Sequence, residues 1–247
     1  MTDFSIDITN KTYPATATTA AHVAINNLHI NLKQNEFVCL VGPSGCGKTT
    51  LMNILAGIDQ NYDGEVYLGD ENTHDYRVGY VFQEPRLLPW CSVLQNIELV
   101  LDHNRNTKLV DELLEIMEID DLRNHYPTQI SLGMARRVAL ARAFVTQPHI
   151  LLMDEPFVSL DASNAKRIRQ RLINVWQAQP HTILFVTHDI REAITLADRI
   201  LFLNQAPTQV IAEVEVTLPR DNRTNENAVS NFRHTLIENH PEIADYC

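Results

Sequence analysis

The chain has 247 residues, of which 45% are apolar and 21% charged, values typical of one soluble α/β domain. It carries 20 Lys and Arg against 31 Asp and Glu, a net charge of −11 that argues against a broad nucleic-acid-binding surface, so we expect no nucleic-acid partner. The four cysteines show neither zinc-ligand spacing nor a paired framework, which favours a reducing compartment. The first residues lack the apolar run of a secretory signal, and no stretch approaches the roughly 18–20 apolar residues needed to span a bilayer. We therefore expect a soluble chain whose membrane association depends on a partner.

Alternating apolar residues near the N-terminus predict strands with one face toward solvent, as in an antiparallel sheet. The alternation runs through Phe4, Ile6, Ile8, Leu28, Ile30 and Leu32. Short continuous apolar runs follow, and these suit central strands of a parallel sheet that is covered on both faces. The runs lie at residues 37–41, 78–82, 150–153, 183–186 and 200–203. Helical patterns lie between several of them, so the sequence predicts a layered α/β core.

The long interval between the second and third of these runs interrupts the alternation of strands and helices. Leu109, Leu113 and Met117 recur at a spacing of four residues, which places them on one helix face. Residues 134–145 are rich in strong helix formers and contain neither Gly nor Pro. The interval is therefore predicted to be helical.

These patterns predict a single domain with an insertion. The α/β core takes in about residues 1–83 and 149–218, and a helical insertion occupies about residues 84–148. Residues 219–247 form a more polar C-terminal extension. One short amphipathic helix is predicted in that extension from the spacing of Val229, Phe232 and Leu236.

Residues 41–50, VGPSGCGKTT, match the phosphate-loop pattern G-x-x-x-x-G-K-S/T and lie between an apolar strand and a predicted helix. Glycines allow backbone N–H groups to surround phosphate oxygens, and the helix N-terminus adds a partial positive charge. Lys48 is expected to contact the β- and γ-phosphates, and Thr49 to offer its hydroxyl to Mg²⁺. The alternative is a glycine-rich turn with a surface lysine, which the flanking strand and helix argue against. The predicted nucleotide-binding residues are Gly42, Pro43, Ser44, Gly45, Cys46, Gly47, Lys48, Thr49 and Thr50.

Two carboxylates follow the apolar run at residues 150–153. The carboxyl end of a strand is where ligands bind in open α/β sheets. Asp154 is expected to hold Mg²⁺, and Glu155, one residue further, is expected to polarise an attacking water instead of binding the metal. The alternative is a strand end with two solvated carboxylates, and the phosphate loop upstream weighs against it.

Four further features are found in a fixed order. Gln83 follows an apolar run, ISLGM at residues 130–134 opens a helix, SLD at residues 159–161 follows the acidic pair, and His188 ends another strand. In this order and spacing the sequence resembles the ATP-binding subunit of ABC transporters over about residues 4–218. The resemblance implies an ATPase that uses ATP and Mg²⁺. It also implies an α/β P-loop NTPase core of the RecA-like type, with an antiparallel β subdomain and an inserted helical subdomain.

The resemblance implies roles for residues within one subunit. Gln83 resembles the Q-loop residue that senses Mg²⁺ and the attacking water, and His188 resembles the switch histidine that contacts the γ-phosphate. Tyr13 is the candidate for the aromatic side chain that stacks on adenine. The implied catalytic residues are Glu155, His188, Lys48 and Gln83. The implied metal-binding residues are Thr49, Gln83 and Asp154.

Other residues resemble those that act on ATP bound to the opposite subunit. Ser131 and Gly133 match signature residues that meet its γ-phosphate, and Asp161 resembles the D-loop aspartate at the dimer interface. Ser131 is also a good N-cap, so the helix behind it would present N–H groups to an anion. The signature L-S-G-G-Q departs here at Leu132 and Met134, although the backbone N–H of Leu132 remains available. The implied partner is a second ATPase subunit, expected to be a copy of this chain.

Residues 87–90, Leu-Leu-Pro-Trp, form an apolar loop directly after Gln83. An exposed apolar loop beside a nucleotide sensor is a plausible socket for a helix of a transmembrane permease. The alternative is that these side chains close the core of the helical insertion. A permease partner would place the chain on the cytoplasmic face of the membrane as a peripheral subunit.

The segments VFQEPRLLPW and MDEPFVSLD resemble most closely the nitrate/sulfonate/taurine group of bacterial importers. That resemblance implies a periplasmic or extracellular solute-binding protein in the complex and an organic anion as cargo. Two alternatives stay open from the residues. One is a soluble ABC-type ATPase that does not take part in transport, and the other is a nucleotide-binding module with little hydrolysis.

Overall fold

The structure is a computed structural model that describes residues 4–15, 19–68, 77–101, 107–158 and 160–246. In chain order its strands and helices are β1 (Phe4–Tyr13), β2 (His22–Leu32), β3 (Phe37–Val41), α1 (Lys48–Leu55), β4 (Asp63–Leu68), β5 (Val78–Val81), α2 (Val93–Glu98), α3 (Thr107–Ile116), α4 (Leu132–Phe144), β6 (Ile150–Asp154), α5 (Ala162–Ala178), β7 (Thr182–Thr187), α6 (Ile190–Leu196), β8 (Arg199–Leu203), β9 (Val210–Glu215) and α7 (Glu226–Asn239). Short 3₁₀ helices lie at Asp120–Leu122, Pro127–Gln129, Arg220–Thr224 and Pro241–Tyr246. Among the described residues, every helix is too short or too polar to cross a membrane.

The chain divides into two compact units. The first unit comprises Met1–Tyr76 together with Thr182–Cys247, and the second comprises Arg77–His181. The helical insertion predicted for residues 84–148 falls inside the second unit, which also includes β5, β6 and α5. The boundaries between core, insertion and extension remain predictions.

An antiparallel sheet in the first unit has the order β2-β1-β4. Phe4 pairs with Leu32 on one side and with Leu68 on the other. The predicted alternation is confirmed, because Phe4, Ile6 and Ile8 are all buried while the residues between them are at least partly exposed. Strand β4 is an addition that the sequence patterns above did not predict.

Parallel strands form the centre of the first unit, in the order β7-β3-β8, with β9 antiparallel at the edge. Every residue of β3, β7 and β8 is buried, as expected for strands covered on both faces. In the register of β3 and β7, Val41 lies opposite Thr187. The two strands therefore end together, and the residues that follow each of them emerge at the same edge.

The C-terminal extension forms a helix, as predicted. Helix α7 buries Val229 and Leu236, while Phe232 is partly exposed. Asn225 caps its N-terminus, with the side chain accepting hydrogen bonds from the N–H groups of Asn227 and Ala228. The packing of one helix face explains why this polar segment is ordered.

The second unit pairs β5 with β6 in parallel, with Val81 opposite Met153. Residues that follow these two strands therefore start from neighbouring positions. The predicted helical periodicity is confirmed in α3, where Leu109 and Leu113 are buried, and Met117 is buried just after the helix ends.

Candidate functional site

The phosphate loop of the first unit joins β3 to α1. Gly45 and Gly47 have φ angles of +77° and +104°, in the left-handed region that side chains disfavour. Gly47 is the N-cap of α1 and has no side chain with which to cap the helix. The first-turn N–H groups of α1 are therefore arranged as in other helix termini that bind anions.

Lys48 is held inside this loop. Its side chain is only 6% exposed, and Nζ donates hydrogen bonds to the carbonyl oxygens of Gly42 and Pro43, both at 2.8 Å. The Sγ atom of Cys46 lies 3.8 Å from Nζ. Burial raises the pKa of the Cys46 thiol, although Lys48 acts in the opposite direction. The loop therefore carries a positioned cation beside a neutral thiol.

Thr208 supports the loop from a distant part of the sequence. It is fully buried, and its hydroxyl lies within hydrogen-bonding distance of the carbonyls of Cys46 and Ala24, the latter at 2.8 Å. A Cβ atom placed on Gly47 would lie 2.4 Å from the Thr208 hydroxyl oxygen. Gly47 is therefore required by close packing as well as by its backbone angle. No local pattern in the sequence marks Thr208 as part of the site.

Tyr13, the predicted adenine-stacking residue, lies next to the end of the phosphate loop. Its hydroxyl is 3.2 Å from the hydroxyl of Thr50. The ammonium of Lys11 lies 4.7 Å from the ring centroid, and Lys11 is itself paired with Asp59 at 2.8 Å. The ring is 40% exposed, so an aromatic surface is available near the loop. The adenine contact itself stays a prediction.

His188 follows β7 at the edge where the phosphate loop follows β3. Its side chain is exposed. The preceding residue is fixed, because the Thr187 hydroxyl donates to the Glu192 carboxylate at 2.6 Å and accepts from the N–H of Asp189 at 3.0 Å. This arrangement brings His188 and the phosphate loop to one edge of the same sheet.

In the second unit, Asp154 is the last residue of β6 and is only 8% exposed. Glu155 follows with a φ of +45°, an unusual conformation for a residue with a side chain. Such strained backbones concentrate at functional sites. Gln83 comes two residues after β5, the strand beside β6, and is exposed. The sheet thus brings Gln83 and the acidic pair to neighbouring strand ends, as the parallel order predicts.

Tyr80 adds a neutral group near these carboxylates. Burial, assisted by the negative charge of Asp154, raises its pKa, so the phenol keeps its proton at neutral pH. Its ring stacks on Phe82 at a centroid distance of 4.0 Å, and the guanidinium of Arg86 covers Phe82 at 3.9 Å. The segment leading to Gln83 is therefore supported by stacked side chains.

The signature segment begins α4 as predicted. Ser131 is the N-cap, and its side chain accepts a hydrogen bond from the N–H of Met134 at 3.3 Å. Its O–H remains able to donate to an anion. Leu132 is 47% exposed, and a Cβ atom on Gly133 would find its nearest neighbour at 3.9 Å, in Asn164. Within the described residues of this unit, the surface at Gly133 is therefore open.

Asp161 caps α5, the helix that follows the acidic pair. Its carboxylate accepts hydrogen bonds from the backbone N–H of Asn164 at 3.0 Å and from the Asn164 side chain at 2.6 Å. These hydrogen bonds lower the pKa of Asp161. Asp161 therefore also has a structural role, since it positions Asn164 beside Gly133. Ser159 of the same motif lies outside the described residues.

The loop after Gln83 displays Trp90, which is 72% exposed. Leu99 and Val100, which follow α2, are also exposed. Asn96 is fully buried and holds the loop in place: its amide oxygen accepts from the N–H of Leu88 at 2.8 Å, and its NH₂ group donates to the Leu88 carbonyl at 3.1 Å. Trp90 therefore does not close the core of this unit, and the alternative interpretation fails for this residue, whereas Leu87 and Leu88 are partly buried. We call the loop at residues 87–90, which ends at Trp90, the exposed apolar surface.

The sequence is similar to those of known ATP-binding proteins. The sequence profile of the ABC transporter family matches residues 25–158, more than half of the chain. The aliphatic sulfonates import ATP-binding protein SsuB of Bacillus cereus is 38% identical over 218 residues, which cover 87% of each chain. The nitrate import ATP-binding protein NrtD of Synechococcus elongatus is 38% identical over 234 residues, or 90% of this chain and 84% of the relative.

A solved structure is similar as well. It is a dimeric ATP-binding cassette in a post-hydrolysis state bound to ADP and Pi, with a TM-score of 0.72 and 31% identity over 86% of this chain and 98% of the other. The chain therefore belongs to the ABC transporter family, as an ATP-binding subunit with ATPase activity. Within that family the predicted resemblance to the nitrate and sulfonate importer group is confirmed.

Proposed function

We propose that this chain powers the import of a small organic anion of the aliphatic sulfonate class, with nitrate as the second candidate. The observation that carries the proposal is the similarity to SsuB, which extends over 87% of both chains. The similarity to NrtD, at the same 38% identity, supports the second candidate.

We assign ATP hydrolysis to the residues predicted from the sequence. Lys48 and the N–H groups of the phosphate loop hold the phosphates, and His188 donates a hydrogen bond to the γ-phosphate. Glu155 orients and polarises the attacking water, and Gln83 contacts the same water. The buried, loop-held ammonium of Lys48 supports this assignment, because a preorganised cation stabilises developing charge without rearrangement.

The donor set fits Mg²⁺. A threonine hydroxyl in the first turn of α1, a carboxylate at the end of β6 and a glutamine amide oxygen are the oxygen ligands that this ion prefers. Thr49, Asp154 and Gln83 would hold the ion. The carboxylate of Asp154 is buried, and a buried negative charge is stabilised by a nearby cation. When bound, the ion neutralises phosphate charge.

A second copy of this chain is proposed to complete each ATP site. Ser131 and Gly133 form an open surface at the N-terminus of α4, and a helix N-terminus attracts an anion. The phosphate-binding loop of the same chain lies elsewhere in the sequence, at residues 42–50. A two-fold axis would place this surface against the nucleotide of the partner, with Asp161 at the interface. The dimeric state of the similar cassette supports this arrangement.

The exposed apolar surface is proposed to dock a transmembrane permease. Trp90 stands on a loop fixed by Asn96, directly after Gln83, so a permease helix seated there would be linked to the nucleotide sensor. The chain would then be a peripheral subunit on the cytoplasmic face of the membrane. A periplasmic or extracellular solute-binding protein would deliver the cargo, as the import names of the relatives suggest.

The test is uptake by cells that lack the gene for this chain. We expect the wild-type gene to restore uptake of a labelled alkanesulfonate, and Glu155→Gln expressed at the same level not to restore it. Restoration of nitrate uptake alone would establish the second candidate. If the uptake of neither anion depended on the chain, the proposed cargo class would be wrong, although the ATPase assignment would stand.

A further inference from the structure

The second unit contains an open cavity of about 660 Å³. Gln83 and Arg86 line one part of it, and Ile130, Leu132 and Arg136 line another. Its volume lies in the range of small-molecule sites, roughly 300–1,000 Å³. The lining is mainly apolar, with a few polar and charged side chains, which is also typical of such sites.

Arg136 is the buried charge in this cavity. It is only 6% exposed, and one of its terminal nitrogens donates to the carbonyl oxygen of Pro156. Its Nε atom is buried without a hydrogen-bond partner in the described part of the chain. Burial lowers the pKa of the guanidinium, the direction expected when desolvation is not offset by a neighbouring carboxylate.

Two equally buried arginines of the first unit show how such a charge is usually satisfied. The Nε atom of Arg199 is also buried without a partner among the described residues, but its terminal nitrogens pair with Glu36 at 2.9 Å and with Glu213 at 2.6 Å, and these carboxylates raise its pKa. Arg223 donates from all three of its nitrogens to backbone carbonyl oxygens. Arg136 has one carbonyl partner among the described residues, so it retains the capacity to bind an anion.

We propose that this cavity binds a small organic anion, a sulfonate or carboxylate on an apolar body, with its charged group on Arg136. Ile130 and Leu132 would contact the apolar body. Arg86 adds a second positive charge at the lining and Glu84 a negative one, so the cavity favours a single anionic group over a polyphosphate.

An occupant of this cavity would touch two functional segments at once. Gln83 and Leu132 both line it, and they belong to the Q-loop and the signature. Binding therefore provides a direct route by which an organic anion would alter ATP turnover. This effector site is distinct from the binding site of the transported cargo, because this subunit is not expected to contact the cargo.

The test is calorimetric titration of the purified full chain with hexanesulfonate, inorganic sulfate and hexylammonium. We expect saturable binding of hexanesulfonate, at least tenfold weaker binding of sulfate, which lacks the apolar body, and none of hexylammonium. Arg136→Gln should weaken hexanesulfonate binding roughly ten- to a hundredfold, the range for a hydrogen bond to a charged group.

Ala135→Leu is the matched variant, because Ala135 lines the same cavity and the substitution fills it while Arg136 is kept. It should weaken binding by at least tenfold, and thermal unfolding would verify that both variants are folded. If Arg136→Gln did not fold, Ala135→Leu alone would decide. The proposal is overturned if hexanesulfonate does not bind, or if the folded variants bind it as tightly as the wild type does. It is also overturned if sulfate binds as tightly as hexanesulfonate, since the cavity would then hold an adventitious ion only.

Discussion

The phosphate-loop region, residues 42–50, and the signature region, residues 130–134, are both expected to contact ATP, but their surroundings differ. Lys48 is buried and bonded to its own loop, and Thr208 packs behind that loop without exposure to solvent. In the signature region Leu132 is half exposed and Gly133 is open. The polar side chains of the first region, Lys48 and Thr208, make their hydrogen bonds within their own unit. The second region presents the N-terminus of helix α4 to solvent. The difference supports our proposal that the signature acts on a nucleotide held by another subunit.

The largest expected effect comes from Glu155→Gln. Because the change keeps the shape of the side chain but removes its negative charge, ATP hydrolysis should fall about 10²–10⁴-fold while ATP binding persists. Phosphate release at saturating ATP measures the first quantity, and nucleotide titration measures the second. Glu112→Gln, an exposed carboxylate on α3, is the control and should behave like the wild type. An unchanged turnover in Glu155→Gln would remove this residue from the chemistry.

Lys48→Ala tests the phosphate-loop side of the comparison. Removing the preorganised cation should reduce hydrolysis by about 10²–10³-fold, the range found when one electrostatic contact to a transition state is lost. Lys48→Arg, which keeps the charge, should be impaired less. Equal turnover of Lys48→Ala and wild-type protein would show that the loop does not act on phosphate.

Trp90→Ala tests the exposed apolar surface. Since a buried tryptophan anchor is worth about 2 kcal/mol or more in an interface, affinity for the permease should fall roughly thirtyfold or further. The thermal unfolding of the isolated chain should not change, because Trp90 is 72% exposed. Trp90→Phe should retain part of the affinity. A loss of stability in the isolated chain would instead indicate an internal packing role.

Thr208→Val should destabilise the phosphate-loop region, although Thr208 is not one of the residues assigned to contact the nucleotide. The substitution keeps the shape but removes the hydroxyl, whose single hydrogen is within reach of the carbonyl oxygens of Cys46 and Ala24. Loss of this donor should lower the free energy of unfolding by about 1–3 kcal/mol. Thr208→Ser retains the hydroxyl and should cost less. Chemical denaturation compares the three proteins, and equal stability of Thr208→Val and wild type would contradict the supporting role.

Leu132→Ala gives the smallest expected effect and sharpens the contrast with Thr208. An exposed side chain away from packing should change the free energy of unfolding by no more than about 0.5 kcal/mol. Leu140→Ala on the same helix removes a buried side chain and should cost about 2–5 kcal/mol. If the two substitutions were equally destabilising, the signature region would not be an open surface.

Much of this molecule follows from local pattern. The buried runs of β3, β7 and β8, the alternation of β1 and the Ser131 cap are confirmed because each depends on residues a few positions apart. The phosphate loop is recognisable for the same reason, since its glycines and lysine are adjacent in the chain.

Other features depend on contacts that no local pattern contains. Thr208 reaches Cys46 across 162 residues, and nothing around Thr208 in the sequence indicates that contact. Arg136 is buried although charged side chains are mostly exposed, and no pattern in the sequence around it indicates that burial. The exposure of Trp90 was also undecidable from the sequence, because an apolar loop can serve either an internal core or a partner.

The most direct test of the central claim, that each ATP site is shared by two subunits, is the mass of Glu155→Gln protein in solution with ATP and Mg²⁺, measured by light scattering after size exclusion. We expect twice the mass of one chain with nucleotide, and the mass of one chain without nucleotide or when Lys48→Ala is added. A strictly monomeric Glu155→Gln protein, in solution and after reconstitution with its permease, would contradict the account.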